Sequence, residues 1–256
     1  MIFADHDLIA LLEVDPELGY QLTHEQLERA RRLAVARVES VDPGEWYPAG
    51  DSEDHTGHLG LLVIDGLATR TVRLGRTACS ELLGKGDVLR PWDEDCGFTV
   101  ADVEVAWRVL EPMRLAVLDH RFAAFAGRWP PIIDVIFSRL IQRARFLAFH
   151  LAVSHLTRVD TRVLVTLWFL AERWGRVTSE GVLLPLRLTH QMLAHLIGAQ
   201  RPSVTTAIGD LETQGLASRR RDGSWLLHGQ PPDDLRRMLP TTAVAARRLT
   251  TAVSGR

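Results

Sequence analysis

Cysteine is scarce in this chain. Only Cys79 and Cys96 occur in 256 residues, too few to supply the four thiolates of an iron–sulfur cluster. Both are expected as reduced, packed thiols, because disulfides are rare in the cytoplasm. Cytoplasm is the expected location: residues 1–7 (MIFADHD) lack the basic start and sustained apolar core of a secretory signal. Long apolar runs are missing too, and no stretch approaches the roughly 20 residues that a membrane-spanning helix needs. Nor is there a strong net charge. The balance is −2, so bulk charge alone does not point to a polyanionic partner. Its distribution is uneven, however. Residues 1–60 carry 13 Asp/Glu against 4 Arg, whereas residues 186–228 carry 5 Arg against 3 acidic side chains. Local positive charge of that kind suits phosphate contacts.

The basic stretch has a distinct pattern. Thr189 is a natural N-cap, and Met192, Leu193, Leu196 and Ile197 form one apolar face at helical spacing. Gly198 falls where a tight turn needs positive φ. A second helix then opens at Gln200 or Arg201, with Pro202 tolerated in its first turn. Val204, Ile208 and Leu211 face inward, which turns Arg201, Ser203, Thr205 and Thr206 outward. Such a unit suits insertion into a DNA major groove. Ala217 to His228 follow as strand, Asp222–Gly223 turn and return strand, a wing that carries Arg219, Arg220 and Arg221.

This combination resembles the Crp/Fnr family of bacterial transcription regulators. The residues that carry the resemblance are Leu188, Thr189, Leu193, Ala194, Ile197, Gly198, Arg201, Val204, Leu211, Glu212, Gly215 and Leu216. It implies an α+β chain with an N-terminal jelly-roll or β-roll sensor, a long central dimerisation helix and a C-terminal winged helix-turn-helix. The expected boundaries are 1–129 for the N-terminal helices and β-roll, 130–158 for the dimerisation helix, 159–229 for the winged domain and 230–256 for an extension. The implied partners are double-stranded DNA with a near-palindromic operator, a second copy through residues 130–158, and RNA polymerase. Arg201 is the expected guanine reader, and Gln200, Ser203, Thr205 and Thr206 are further base or phosphate contacts. Thr189, His190 and Arg219 to Arg221 are expected on phosphates. Where family members carry a Glu after this Arg and a second Arg further on, Pro202 and Thr206 stand here, so a different half-site is expected.

The remaining pattern fits that plan. Thr23 and Gln26 make a capping box, residues 1–38 read as mainly helical, and Asp5 to Leu12 as a short amphipathic piece. Residues 42–119 read as short strands broken at Asp42–Gly44, Asp65–Gly66, Leu74–Gly75, Gly84–Asp87 and Glu111–Pro112. From Pro130 a long helix is expected to about Arg158, with Ile133, Phe137, Leu140, Ala144, Leu147, Leu151 and Ser154 at 4-3 spacing. Asp160 is expected at the hinge and as N-cap of the next helix.

The sensor's ligand chemistry departs from the family. Cyclic-AMP-binding members place a Gly-Glu pair after the Gly-Asp turn and an Arg-Ser pair later. Here Arg90–Pro91 fills the first position, and residues 102–108 (DVEVAWR) have no Arg-Ser. No orthodox cAMP binding is expected, and Phe149–His150 replace the adenine-contacting Thr-Ser. Arg90, Trp92 and Asp93 could instead read a guanine, as Arg-x-x-Asp elements do in cyclic di-GMP binders, with Arg70, Arg73 and Arg76 on phosphates and His150 reaching in from the helix. Cyclic di-GMP is therefore the leading effector; a ligand-free β-roll that only fixes geometry is the alternative. His55 and His58 are expected in a solvated loop. Without a third ligand at the right spacing, no metal site is expected there, which argues against a cupin-like enzyme. A winged helix used only for protein contacts stays open as a further alternative.

Overall fold

The computed structural model describes residues 8–48, 55–93 and 102–231. Cys96, the extension beyond residue 231 with its arginines, and the first seven residues lie outside them. The chain divides into two compact units, Met1–Phe149 and His150–Arg256.

The first unit is a rolled antiparallel sheet with helices on one face. Strand β1 (Leu8–Ala10) leads into α1 (Leu11–Val14), a 3-10 turn (Pro16–Gly19) and α2 (His24–Arg31). Strands β2 (Val35–Val41), β3 (Gly44–Trp46), β4 (Gly60–Leu74), β5 (Thr77–Gly84), β6 (Val88–Leu89) and β7 (Val103–Leu118) follow. Helices α3 (His120–Ala126) and α4 (Pro130–Ser154) complete it, with α4 ending in the second unit. The sheet order is β1-β2-β7-β4-β5, with β3 paired to β7 and β6 to β4. Of the segment expected as an amphipathic helical piece, Asp5 to Leu12, Leu11 and Leu12 begin α1, whereas Leu8 to Ala10 form an edge strand paired with Val35 to Arg37.

Strand alternation explains the core. Leu61 and Val63 pack with Leu83, Leu89, Met113, Leu115 and Val117 inside the roll. Their neighbours Leu62 and Ile64 face the other way, onto Leu11, Leu12, Phe122 and Ile132. With both faces covered, residues 61–64 of β4 read as an unbroken apolar run rather than as alternation. Two expected turns prove to lie inside strands. Asp65–Gly66 and Glu111–Pro112 face one another across the β4–β7 ladder, where the register shifts. Pro112 cannot donate a ladder hydrogen bond, so a bulge is needed there. Gly66 has φ 94°, and a Cβ on it would stand 2.3 Å from the Pro112 carbonyl oxygen.

Helix α4 is tied to the N-terminal helices and to the sheet by ion pairs. Arg139 on α4 donates to Asp15 at 2.9 Å. Arg143, one turn on, grips Glu81 of β5 through Nε at 3.0 Å and Nη2 at 2.6 Å.

The exposed face of α4 differs by one position from the expected seam. Ile133 and Leu140 pack on the first unit's core. The face left to solvent carries Phe137 (60% exposed), Ile141 (51%) and Leu147 (43%), and Leu151 continues it at 63%. Ala144 and Ala148 are exposed between them. A line through 137, 141, 144, 148 and 151 also has 4-3 spacing, so Ile141 takes the place expected for Leu140. The helix ends at Ser154, before Arg158.

The second unit begins with α5 (Val159–Trp174) and the short strands β8 (Arg176–Thr178) and β9 (Gly181–Leu184). Then come α6 (His190–Ile197), α7 (Arg201–Thr213), β10 (Ala217–Arg219) and β11 (Trp225–Leu227). A four-stranded sheet in the order β10-β11-β9-β8 joins the wing to the hairpin ahead of α6. The N-cap of α5 is Arg158, not Asp160. Asp160 is the second residue of the helix, accepts from the Thr161 amide at 2.8 Å and pairs with Arg158. That guanidinium holds its carboxyl below the usual range. Among the described residues no helix is long and apolar enough to cross a membrane.

Candidate nucleic-acid interface

Helices α6 and α7 are built by local chemistry. The Thr189 hydroxyl accepts from the Met192 amide at 3.2 Å and caps α6. Gly198 ends it at φ 63°, a conformation that costs other residues but not glycine. Gln200 is the N-cap of α7 without a side-chain cap bond, and Pro202 occupies its first turn. Leu193, Leu196 and Ile197 of α6 and Val204, Ile208 and Leu211 of α7 are buried.

The other side of α7 is open. Arg201, Ser203, Thr205 and Thr206 are all exposed. Helical spacing sets Pro202, Thr206, Gly209 and Thr213 along the middle of that face. A Cβ on Gly209 would meet nothing within 4 Å. This line of small residues was not singled out in the sequence, because each residue alone is unremarkable on a helix. It keeps the helix axis close to whatever the face meets, and Arg201 stands at its edge.

A hydrogen-bond chain fixes that edge. The Thr205 hydroxyl donates to the Arg201 carbonyl at 3.1 Å and lies 2.9 Å from His190 Nδ1. His190 thus links the start of α6 to the first turn of α7. Burial first, then Arg219 and Arg201, lower its pKa, against Glu212. Arg219, Arg220 and Arg221 are exposed on the wing. The Arg219 amide donates to Glu212 at 3.3 Å, which ties the wing to α7, and Arg220 faces Glu180 at 3.6 Å.

The proposed effector residues do not gather in the same way. Arg90 pairs with Asp93, donates to the His58 carbonyl at 2.6 Å and that of Leu59 at 3.3 Å, and lies over Trp92 at 5.6 Å. The Arg-x-x-Asp element is closed on itself by the 3-10 turn Pro91–Asp93. Arg70 reaches Glu81 at 3.3 Å, while Arg73 reaches Glu104 at 3.0 Å. Residues three apart on a strand point to opposite sheet faces, so these two cations diverge. Arg76 is exposed in the β4–β5 turn. His150 is buried beside Phe169 in the second unit.

His55 and His58 are half-buried rather than fully solvated. His55 stacks on Trp92 at 4.1 Å, and His58 packs edge-on to His55 and beside His120. No metal-binding group of three or more side chains occurs among the described residues. Burial first, then His55, holds the His58 pKa below its ordinary value, against the pull of Asp119. The folded state therefore prefers neutral His58, and the unfolded chain takes up the proton first. This contribution to stability is complete above about pH 6.5 and is lost as pH falls from there through the lower folded value. The urea midpoint should thus drop between pH 7 and pH 5, and drop less in His58→Gln; equal slopes would remove His58 from the effect.

Cys79, expected to be packed, is a free cysteine at an exposed position of β5, with its sulfur only partly covered. Burial of its sulfur, then Glu81, push its pKa up, which disfavours a reactive thiolate.

Residues 161–236 match the Crp-like helix-turn-helix domain family. The regulatory protein CysR of Synechococcus elongatus is 30% identical over 84 residues, 32% of this chain and 41% of that protein. The chain thus spans about two fifths of the curated relative it matches. A mutant of CooA from Carboxydothermus hydrogenoformans shares the fold with TM-score 0.61 at 16% identity, over 88% of this chain and 92% of that one. The c-di-GMP-responsive global regulator CLP of Xanthomonas campestris shares it with TM-score 0.54 at 20% identity, over 76% and 95%.

Proposed function

With a Crp-like helix-turn-helix domain on the fold of Crp/Fnr-family regulators, we propose that the chain binds DNA sequence-specifically as a homodimer and regulates transcription. The observation that carries this is the open face of α7. A row of small residues is flanked by Arg201, which is braced through Thr205 to His190, and the wing supplies Arg219 to Arg221 beside it. Small residues admit the helix to a major groove, Arg201 reads a guanine, and His190, Thr189 and the wing take phosphates.

The second copy docks along α4 through Phe137, Ile141, Ala144, Leu147 and Ala148, continued by Leu151. That stripe is apolar and open to solvent in the single chain, and its 4-3 spacing suits a paired helix. Two recognition helices about 34 Å apart then meet successive major grooves. RNA polymerase is the downstream partner that such a regulator would engage. Selection of random duplexes by the purified full chain tests the reading. An enriched inverted repeat with half-sites one helical turn apart is expected; no enrichment over the starting pool would reject it.

For the effector, the engagement of Arg90 with Asp93 and with two carbonyls favours a β-roll that fixes geometry without an orthodox ligand. Calorimetric titration with cAMP is expected to give no saturable heat. Cyclic di-GMP, to which CLP is responsive, is the ligand whose binding would reverse this preference.

A further inference from the structure

His190 opens α6 with its ring half-buried beside α7. Its Nδ1 lies 2.9 Å from the Thr205 hydroxyl oxygen. That hydroxyl has one proton, and it goes to the Arg201 carbonyl at 3.1 Å, a group that can only accept. The Thr205 oxygen therefore receives its bond from His190, so Nδ1 carries the ring's hydrogen. In the neutral imidazole Nε2 is then a lone-pair acceptor. The charged groups that act on the ring are Arg201 and Glu212 of α7 and Arg219 of β10. Burial first, then Arg219 and Arg201, disfavour its protonation, against Glu212. A DNA phosphate is itself an acceptor and carries negative charge. It gains nothing from a second acceptor, whereas an imidazolium offers it a charge-assisted donor.

We propose that DNA binding takes up a proton at His190: with Nδ1–H committed to Thr205, Nε2 takes a proton from solvent and donates that N–H to a backbone phosphate, once in each copy of the dimer. This rests on the regulator reading and adds to it a regulation by pH. Protonation leaves Nδ1–H on Thr205, so the brace on Arg201 is the same in both states. The free ring loses its proton at a lowered pKa, while the phosphate lets the bound ring hold it to higher pH. Affinity is therefore greatest below the free value, falls as pH rises from there to the bound value, and levels off above it. A phosphate contact carries no sequence information, so the effect should be the same on selected and scrambled duplexes.

The test is calorimetric titration of the full chain with the selected duplex at about pH 7, in PIPES and in imidazole buffer of equal ionic strength. Proton uptake appears as a difference in binding heat that follows the buffers' ionisation heats. Gel shifts on both duplexes should show wild-type affinity falling at least about tenfold between about pH 6 and pH 8. His190→Asn, whose amide can take over the bond to Thr205, should bind with no uptake and a flat pH profile. His190→Lys, cationic throughout, should be equally flat but bind more tightly than wild type at about pH 8. Uptake in wild type that vanishes in both variants supports the proposal. Wild-type binding without uptake overturns it, because the ring then meets DNA as the other neutral tautomer or not at all. Uptake that survives in His190→Asn overturns it as well, since the proton then belongs to another group. So does His190→Lys binding no better than His190→Asn at the higher pH. All three leave the regulator reading standing, whereas binding to no duplex at any pH rejects both.

Discussion

Arg201→Ala is expected to weaken binding to the selected duplex by roughly 10- to 100-fold per half-site, and to flatten the preference at one base pair in each. The side chain is exposed at the first residue of α7, and its carbonyl is held by the Thr205 hydroxyl, which His190 holds in turn. The guanidinium therefore starts from a fixed base beside a row of small residues, which suits the bidentate reading of guanine O6 and N7 proposed for it. Because the loss comes from a base contact, it should be far smaller on a scrambled duplex at the same salt concentration. Arg221→Ala on the wing makes the contrasting case: a phosphate contact is lost, so both duplexes should suffer alike and the salt dependence should become shallower. Gel-shift titrations on both duplexes decide the matter. Equal losses for Arg201→Ala would demote it to a phosphate contact and leave the half-site to be read by Ser203 and Thr206.

Ile141→Asp is expected to lower the dimerisation constant by at least about 100-fold, because a symmetric interface buries the uncompensated carboxylate twice. Ile141 is half-exposed in the single chain, so the fold of each copy should survive with an unchanged melting curve at low concentration. Leu140→Asp is the informative comparison. Leu140 packs on the first unit's own core, so its loss should appear as destabilisation of the monomer. Sedimentation equilibrium separates the two outcomes. A dimer of wild-type strength in Ile141→Asp would reject the α4 stripe as the interface.

Much of the second unit was legible because its determinants are local. Thr189 caps, Gly198 turns and Pro202 opens a helix within a few residues of where each stands, and the apolar positions between them follow one period. The β-roll was legible as a class but not in its strand lengths. Glycine and proline at Asp65–Gly66 and Glu111–Pro112 carry the same local signal in a bulge as in a turn, and only pairing across the sheet distinguishes them. The seam of α4 was displaced for a related reason. Ile133, Leu140 and Ile141 are equally apolar, and which of them faces outward depends on a core contributed by α1 and β4. Least legible were the charge partners. Arg143 meets Glu81 across 62 positions and Arg139 meets Asp15 across 124, whereas Arg90 and Asp93, close in sequence, looked poised for a ligand and closed on each other. Residues far apart in the chain give no periodic signal, so a buried pair and two solvated charges look alike until the fold joins them.

Pro202 has one more effect. Its ring fixes φ at the second residue of α7, so the turn that bears Arg201 and Ser203 is ordered before DNA arrives. Association then spends little entropy on arranging that backbone. The heat-capacity change of binding should accordingly match the docking of two preformed surfaces, rather than the larger value that accompanies folding of a segment on its target.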